Sequence, residues 1–253
     1  MPVCIECGKE VPVLYLDYGK GNIKLVHCEV CKTFADKYLE YDFVIIFIDM
    51  LLHKRPVYRH LIFNRLDYSD QGWNHLTNFA VIMMVTVVMT QGSLIRLGIL
   101  LVLFEVYLKW FRLDRMDRAV APDNVALHTQ YFYILGVCAL ETICFHSGVR
   151  WATHMLFSGK FTVKNLNQLS MALVLSSFGK ILLIVMVVWD YGQFDPSILV
   201  NMLVFTSNIE ALSVFLKTSI STTGVILGAG ITCKLAIQFL MQLSDPNIEL
   251  SFI

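Results

Sequence analysis

Four cysteines near the amino terminus have the spacing of a metal site. They form two Cys-x2-Cys pairs separated by twenty residues, namely Cys4, Cys7, Cys28 and Cys31. A pair of this spacing lets one tight turn direct two thiolates at the same ion, and two such turns complete a tetrahedron. The pattern predicts one Zn²⁺ held by these four residues. Because four thiolates leave no open coordination position, the zinc is expected to be structural.

The residues between the two cysteine pairs predict the local fold, which is a zinc ribbon. Residues 11–16 and 23–26 have the composition of short strands, and residues 19–22 (Gly-Lys-Gly-Asn) supply the turn that joins them. Gly8 follows the first pair at a position where a turn favours positive φ. A domain this small needs the metal, because its apolar core alone is marginally stable.

Other uses of the four cysteines agree less well with the sequence. Two redox-active Cys-x-x-Cys motifs in so short a segment would be unusual in a reducing cytosol. Disulfides need an oxidising compartment, and residues 1–7 lack the apolar core of a signal peptide. A RING-type ligase site needs eight ligands, and His27 is the obvious spare candidate. Residues 1–76 carry nine Lys/Arg and ten Asp/Glu, so they offer no basic patch for nucleic acid.

The composition of the whole chain indicates an integral membrane protein. Of its 253 residues, 56% are hydrophobic and 16% are charged, against about 45–50% and about 25% in soluble domains. The mean hydropathy is +0.62. Lys and Arg together number 20, as do Asp and Glu, so no overall charge bias points to nucleic acid. Because the amino terminus has no signal peptide, the ribbon is expected to stay in the cytosol.

Four stretches in the second half of the chain have the roughly 17–25 apolar residues that a bilayer requires. They are residues 131–147, 168–189, 198–216 and 221–241. Earlier, residues 79–90 and 94–108 form either a helical hairpin or one long tilted helix with the rest at the interface. The basic residues assigned to loops 109–130, 148–167 and 217–220 balance four against four in either arrangement, so the positive-inside rule does not choose.

The sequence therefore predicts a polytopic α-helical membrane protein with five or six spans and an N-terminal cytosolic zinc-ribbon domain. The predicted parts are a ribbon domain with a basic juxtamembrane segment at 1–66, a multi-span domain at 77–241 and a short tail at 242–253. No phosphate-binding glycine loop, H-x-x-x-H or H-E-x-x-H metal motif or nucleophile elbow is present in the sequence. We therefore expect no enzymatic activity.

Each of the four later spans carries one ionisable residue near its middle. These residues are Glu141, Lys180, Glu210 and Lys234. Charges at that depth are costly, so they usually pair or line a polar cavity. Neutral pairing is available, for example between Glu210 and Lys180. Two interpretations stay open: contacts that hold helices together, or a polar recess for a lipid hydroxyl, a lipid headgroup or another membrane protein.

Two segments connect the ribbon to the spans. Residues 43–52 are apolar but too short to cross a bilayer, so they form a helix or strand packed on the ribbon, or a segment in the interface. Residues 53–65 mix aromatic residues with Lys54, Arg55, Arg59 and Arg65. Such a patch suits the anionic headgroups of a cytosolic leaflet, although a solvated basic linker has the same composition.

A set of short motifs in the amino-terminal part of the chain is typical of one protein family. The motifs are residues 4–8, Leu14-Tyr15, residues 21–25, Cys28-x2-Cys31, Ala35-Asp36-Lys37-Tyr38-Leu39-Glu40-Tyr41-Asp42, Ile48-Asp49 and Tyr58-Arg59-His60-Leu61-x-Phe63-Asn64. In them the chain, from Cys4 to Asn64, resembles the homology domain of the Arv family, membrane proteins of the endoplasmic reticulum. Residues 203–212 resemble the family's late membrane segment, so the similarity is dense in the soluble domain and loose elsewhere.

This resemblance implies a role in sterol and sphingolipid homeostasis, in sterol movement out of the endoplasmic reticulum and in early synthesis of the glycosylphosphatidylinositol (GPI) anchor. Two hypotheses follow. The protein is a lipid-trafficking mediator whose membrane domain holds or presents a sterol or a GPI precursor. Alternatively, it is a non-catalytic accessory subunit whose ribbon binds a partner such as the GPI N-acetylglucosamine transferase.

Overall fold

The computed structural model describes residues 2–19, 22–65, 92–120, 127–157, 163–182 and 197–244, and these are mostly helical. The strands and α-helices are β1 (Tyr15–Asp17), β2 (Ile23–Leu25), α1 (Phe43–Leu51), α2 (Arg55–Arg59), α3 (Gly92–Val120), α4 (Leu127–Leu156), α5 (Val163–Ser176), α6 (Ser197–Leu216) and α7 (Ile220–Ser244). A short 3-10 helix, Lys37–Leu39, precedes α1, a π-helix, His60–Arg65, continues α2, and a 3-10 turn, Ser177–Ile181, follows α5.

The predicted hairpin between the cysteine pairs is present. β1 and β2 are antiparallel, with Leu16 opposite Lys24. At the start of the turn, Gly19 has a φ of 87° and donates its N–H to the Asp17 carboxylate at 2.8 Å. β1 begins later than predicted, because the residues before it close the first cysteine turn instead. The N–H of Val11 donates to the Pro2 carbonyl at 3.0 Å.

The apolar segment after the ribbon is a helix. α1 begins after Asp42, and its Ile46 and Met50 lie in the core. α2 begins with Pro56 in its first turn, where the missing N–H costs nothing because first-turn amides have no partner within the helix. Two short helices therefore follow the ribbon.

Three helices among the described residues are long and apolar enough to cross a membrane. They contain Gln130–Leu156, Ile198–Leu216 and Ile220–Leu243, which correspond to three of the predicted spans. The predicted span at 168–189 extends past the described residues, and residues 79–90 lie outside them. α3 covers the predicted stretch 94–108 but is not among these three helices. The total of five or six spans stays a prediction.

Two connecting loops assumed in the charge count are largely helical. α3 extends to Val120 and α4 to Leu156, so Lys109 and Arg150 lie inside helices, where both are buried. Each has a polar partner there: Lys109 donates to Glu141, and Arg150 donates to the Asn167 side chain at 2.8 Å. The prediction that these two residues lie in loops is wrong, because the helices continue past the apolar runs. Their burial is tolerated because each has a polar partner.

The segment that follows the ribbon shares one hydrophobic core with the membrane helices. From the amino-terminal part, it contains Ile5, which lies between the first two cysteines, and residues of α1, α2 and the π-helix. α5, the 3-10 turn and α6 complete it. Its buried members are Ile5, Tyr38, Ile46, Met50, Val57, Tyr58, Leu61, Ile62, Ala172, Phe178, Ala211 and Val214. The ribbon has a separate small core, and Ile5 is the residue by which it joins the shared one.

Candidate metal centre and charged contacts of the membrane helices

The four predicted cysteine ligands lie together. Their Sγ atoms are all within 4.8 Å of one another, with Cys4 and Cys31 separated by 3.6 Å and Cys7 and Cys28 by 3.7 Å. A tetrahedron with Zn–S bonds of about 2.3 Å has edges of about 3.8 Å. The four thiols therefore have the number, chemistry and spacing that one metal ion needs.

Two matching turns direct the cysteines at one point. In the first turn, Cys4 donates its N–H to the Lys9 carbonyl, and Gly8 donates back to Cys4 at 2.9 Å. In the second turn, Cys28 donates to Thr33, and Lys32 donates back to Cys28 at 2.9 Å. The residue four after the first cysteine has positive φ in both turns, 74° at Gly8 and 61° at Lys32. The expectation for Gly8 is confirmed.

The thiols differ in how readily they ionise. The Thr33 hydroxyl lies 3.0 Å from the Cys31 sulfur, and this contact, with the Thr33 backbone N–H, lowers the pKa of Cys31 to about 6. Burial raises the pKa of Cys4 to about 12. A metal ion must therefore displace the proton from Cys4, whereas Cys31 already favours the thiolate at neutral pH.

Two side chains after α1, Arg59 and Asn64, bind the backbone at the first cysteine turn and are called the clamp below. Arg59 donates to the carbonyls of both residues between Cys4 and Cys7, at 2.7 Å in the case of Ile5. Asn64 accepts from the N–H of Val3 at 2.8 Å and donates to its carbonyl at 3.0 Å. The structure thus places Arg59, a predicted headgroup contact, against the ribbon backbone.

A buried carboxylate holds this clamp in place. Asp36 is fully buried, and its Oδ2 lies 2.7 Å from His60 Nδ1 and accepts from Asn64 Nδ2 at the same distance. Its Oδ1 accepts from the backbone N–H of Tyr38 at 3.0 Å. These partners satisfy a buried acid that would otherwise be costly, and they orient Asn64 toward the first cysteine turn.

The other three predicted headgroup contacts have different surroundings. Lys54 forms an ion pair with Asp49 at 2.7 Å, and Arg55 forms one with Glu210 at 3.0 Å. Arg65 is exposed at the end of the π-helix. Binding of headgroups by these residues stays a prediction.

Polar residues in the middle of α6 bind the amino-terminal part of the chain. His53 Nε2 lies 3.2 Å from the Leu203 carbonyl and 3.0 Å from the Thr206 hydroxyl. The Tyr58 hydroxyl lies 2.8 Å from Ser207 Oγ.

Glu210 of α6 pairs with Arg55 and not with Lys180, so the pairing suggested from charge balance is not formed. The reason is that α2, which packs on α6, brings the Arg55 guanidinium close to Glu210.

The other three predicted intramembrane charges meet in one cluster with two further residues. Lys109 lies 2.6 Å from Glu141, and Lys234 lies 3.5 Å from the other oxygen of the same carboxylate. Glu105 pairs with Lys180 at 2.9 Å and with Lys234 at 3.0 Å. This five-residue group on α3, α4, α7 and the 3-10 turn is called the charge cluster below.

The charge cluster has a closed end and a more open end. The Glu141 side chain is 1% exposed, whereas that of Lys234 is 31% exposed. Lys180 and Lys234 are therefore the more exposed members of the cluster, and Lys109 and Glu141 form its deepest pair. Sequence reasoning missed Glu105 and Lys109. Their signal was a pair four residues apart, with Glu105 the sole acid in the apolar stretch 94–108.

Comparison with known proteins agrees with these features. The model of the Arv1-like family matches residues 3–212. "Protein arv1 homolog" of Dictyostelium discoideum is 33% identical over 99% of this chain and 100% of its own. "Protein arv1" of Schizosaccharomyces pombe is 35% identical over 83% and 74%, and "Protein ARV1" of Homo sapiens is 30% identical over 97% and 83%. No solved structure matches the chain.

Proposed function

Because the chain belongs to the Arv1-like family, we propose that it mediates sterol and sphingolipid homeostasis in the endoplasmic reticulum membrane. Family membership supports a role in lipid homeostasis at a general level. The proposal adds the organelle, the lipid classes and a non-catalytic part in sterol transport out of the endoplasmic reticulum.

The charge cluster is the observation that carries the transport role. Its open end presents Lys180, Lys234 and Glu105, and α7, which carries Lys234, contains a candidate span. A sterol hydroxyl can accept a hydrogen bond from an ammonium group or donate one to the carboxylate, while the apolar helix surfaces contact the rings. The deep Lys109–Glu141 pair would then hold α3 and α4 together.

The direct test is sterol transfer between liposomes by the purified, reconstituted full-length protein. Glu105→Gln removes the carboxylate shared by both lysines at the open end, and we expect it to reduce transfer at least fivefold. Glu210→Gln is the matched control, because it makes the same chemical change at an acid paired with Arg55 outside the charge cluster.

Two results of this test would refute the carrier role. One is transfer by the folded wild-type protein that does not exceed the protein-free background. The other is a Glu105→Gln variant that keeps wild-type transfer. Thermal unfolding in detergent shows whether each variant is folded, so lost transfer is not confused with lost structure.

The metal in the proposed function is Zn²⁺, with a structural role in a ribbon that faces the cytosol. Four thiolates suit zinc and leave no position for a substrate. Elemental analysis of the purified protein should find one zinc per chain. Cys28→Ala should lose the zinc and destabilise the ribbon, because metal binding and folding are coupled in such domains. A normally folded, zinc-loaded variant would exclude this assignment.

A second candidate function is that of an accessory subunit that promotes early GPI-anchor synthesis with the GPI N-acetylglucosamine transferase. The exposed apolar and aromatic residues of the ribbon hairpin favour it, because Tyr15, Leu16 and Tyr18 offer a protein-binding surface. Under this alternative, Leu16→Asp should abolish co-purification of the transferase from solubilised membranes. Val30→Asp, at an exposed apolar position away from the hairpin, should not.

A further inference from the structure

α1 has an apolar face that its own core does not use. Val44 and Ile48 of α1 and Leu52, directly after its end, are spaced four residues apart, so they lie along one side, and they are 63%, 48% and 62% exposed. Ile46 and Met50, on the opposite side, are buried in the core shared with α6. Burial within the described fold therefore accounts for one side of α1 and leaves the other side to a partner.

The position of α1 along α6 identifies that partner. His53, next to Leu52, contacts α6 at Leu203 and Thr206. With a rise of 1.5 Å per residue, this contact lies about 9–14 Å from the first residue of α6 and about 15–20 Å from its last. The carboxyl end of α1 therefore lies beside the middle of a helix that is long enough to cross a bilayer.

The surface around this contact has the same character. Met202 and Phe205 of α6, which flank the bonded Leu203 carbonyl, are exposed apolar residues. Lys54 and Arg55 follow Leu52, and each of these cations has an acidic partner, Asp49 for Lys54 and Glu210 for Arg55. Paired charges of this kind are less costly beside acyl chains than isolated ones.

We propose that the Val44–Ile48–Leu52 face of α1 lies against the acyl chains of one membrane leaflet. The amino-terminal part of the protein is consequently seated in the bilayer through a short helix lying along it, in addition to the spanning helices. This inference does not depend on which lipid the protein transports.

The test is photo-cross-linking of the full-length protein in nanodiscs of phosphatidylcholine with one fifth phosphatidylserine. Ile48→p-benzoylphenylalanine places a photoreactive ketone on the exposed face of α1. Met50→p-benzoylphenylalanine is the matched control, two residues away on the buried face. We expect phospholipid adducts at position 48, at least tenfold more abundant than at position 50, and adducts within the chain at position 50.

Other occupants of this face give distinct results that would overturn the proposal. A cross-linked dimer indicates a second copy of the chain, and an adduct from position 48 to residues 66–91 indicates this chain itself. Absence of any adduct at position 48 indicates water. Each variant is checked for zinc content and for its thermal transition. If Ile48→p-benzoylphenylalanine does not fold, Val44→p-benzoylphenylalanine makes the same test on the same face.

Discussion

Removing the Arg59 guanidinium should weaken zinc binding although this residue touches no sulfur atom. Arg59 donates hydrogen bonds to the Ile5 and Glu6 carbonyls, which lie between Cys4 and Cys7. A hydrogen bond from a charged group contributes about 1.5–3 kcal/mol when its partner is buried, and less when water can replace it. Ile5 is fully buried, whereas Glu6 is exposed. We therefore expect Arg59→Ala to cost about 2–3 kcal/mol.

This free energy should appear as lost metal affinity, because only the metal-bound ribbon needs the turn in this shape. A loss of about 2–3 kcal/mol corresponds to a zinc dissociation constant raised about 30- to 150-fold. The assay is competition between the purified full-length protein and a chromophoric zinc chelator at constant pH. Arg59→Lys should fall between the wild type and Arg59→Ala, because an ammonium group cannot reproduce the planar fork of a guanidinium.

Arg55→Ala is the control for this experiment. It removes the same side chain four residues earlier, where the guanidinium pairs with Glu210 and not with the cysteine turn. Its zinc affinity should remain within about twofold of the wild type. An Arg59→Ala protein that binds zinc as tightly as Arg55→Ala would refute the reasoning, since the clamp would then not stabilise the metal site.

Two further predictions concern the membrane helices. Glu141→Met should destabilise the protein by about 3–5 kcal/mol, because it leaves the buried Lys109 ammonium without this carboxylate. The double variant Lys109→Met, Glu141→Met should recover much of this loss. Thermal unfolding in detergent measures both variants, and a double variant that is no more stable than the single one would contradict the pairing argument. Gly230→Ala should destabilise by about 1–3 kcal/mol, because its Cβ would lie 2.6 Å from Val149 Cγ2. Gly224→Ala, whose Cβ meets nothing within 4 Å, should be close to neutral, and equal losses at the two glycines would contradict close packing of α4 on α7.

The metal site was predictable from the sequence because its geometry is local. Each cysteine pair is brought together by one turn, and Gly8 marks the positive φ of the first turn. The second turn uses Lys32 at the equivalent position, which no residue preference indicated. The hairpin was predicted between the right residues, although β1 is shorter because Val11 bonds to Pro2.

The charged residues of the membrane domain were predictable as a group but not in their pairing. Glu141, Lys180 and Lys234 were recognised because a charge in an apolar stretch is conspicuous. Lys109 was missed because α3 continues past the apolar run, and a basic residue at its edge looks like part of a loop. Without Lys109 and Glu105, no pattern in the sequence favoured the observed pairs over Glu210 with Lys180.

By itself, the sequence determined the four-cysteine cluster, the membrane character of the chain and the presence of costly charges within apolar stretches. These properties depend on composition and on spacings of a few residues. Only the tertiary structure decided that α1 and α2 pack on α6, that Arg55 meets Glu210 across 155 residues and that Lys180 meets Glu105 across 75. The energy of an ion pair depends on the distance between its atoms in space, which the sequence separation of two residues does not specify.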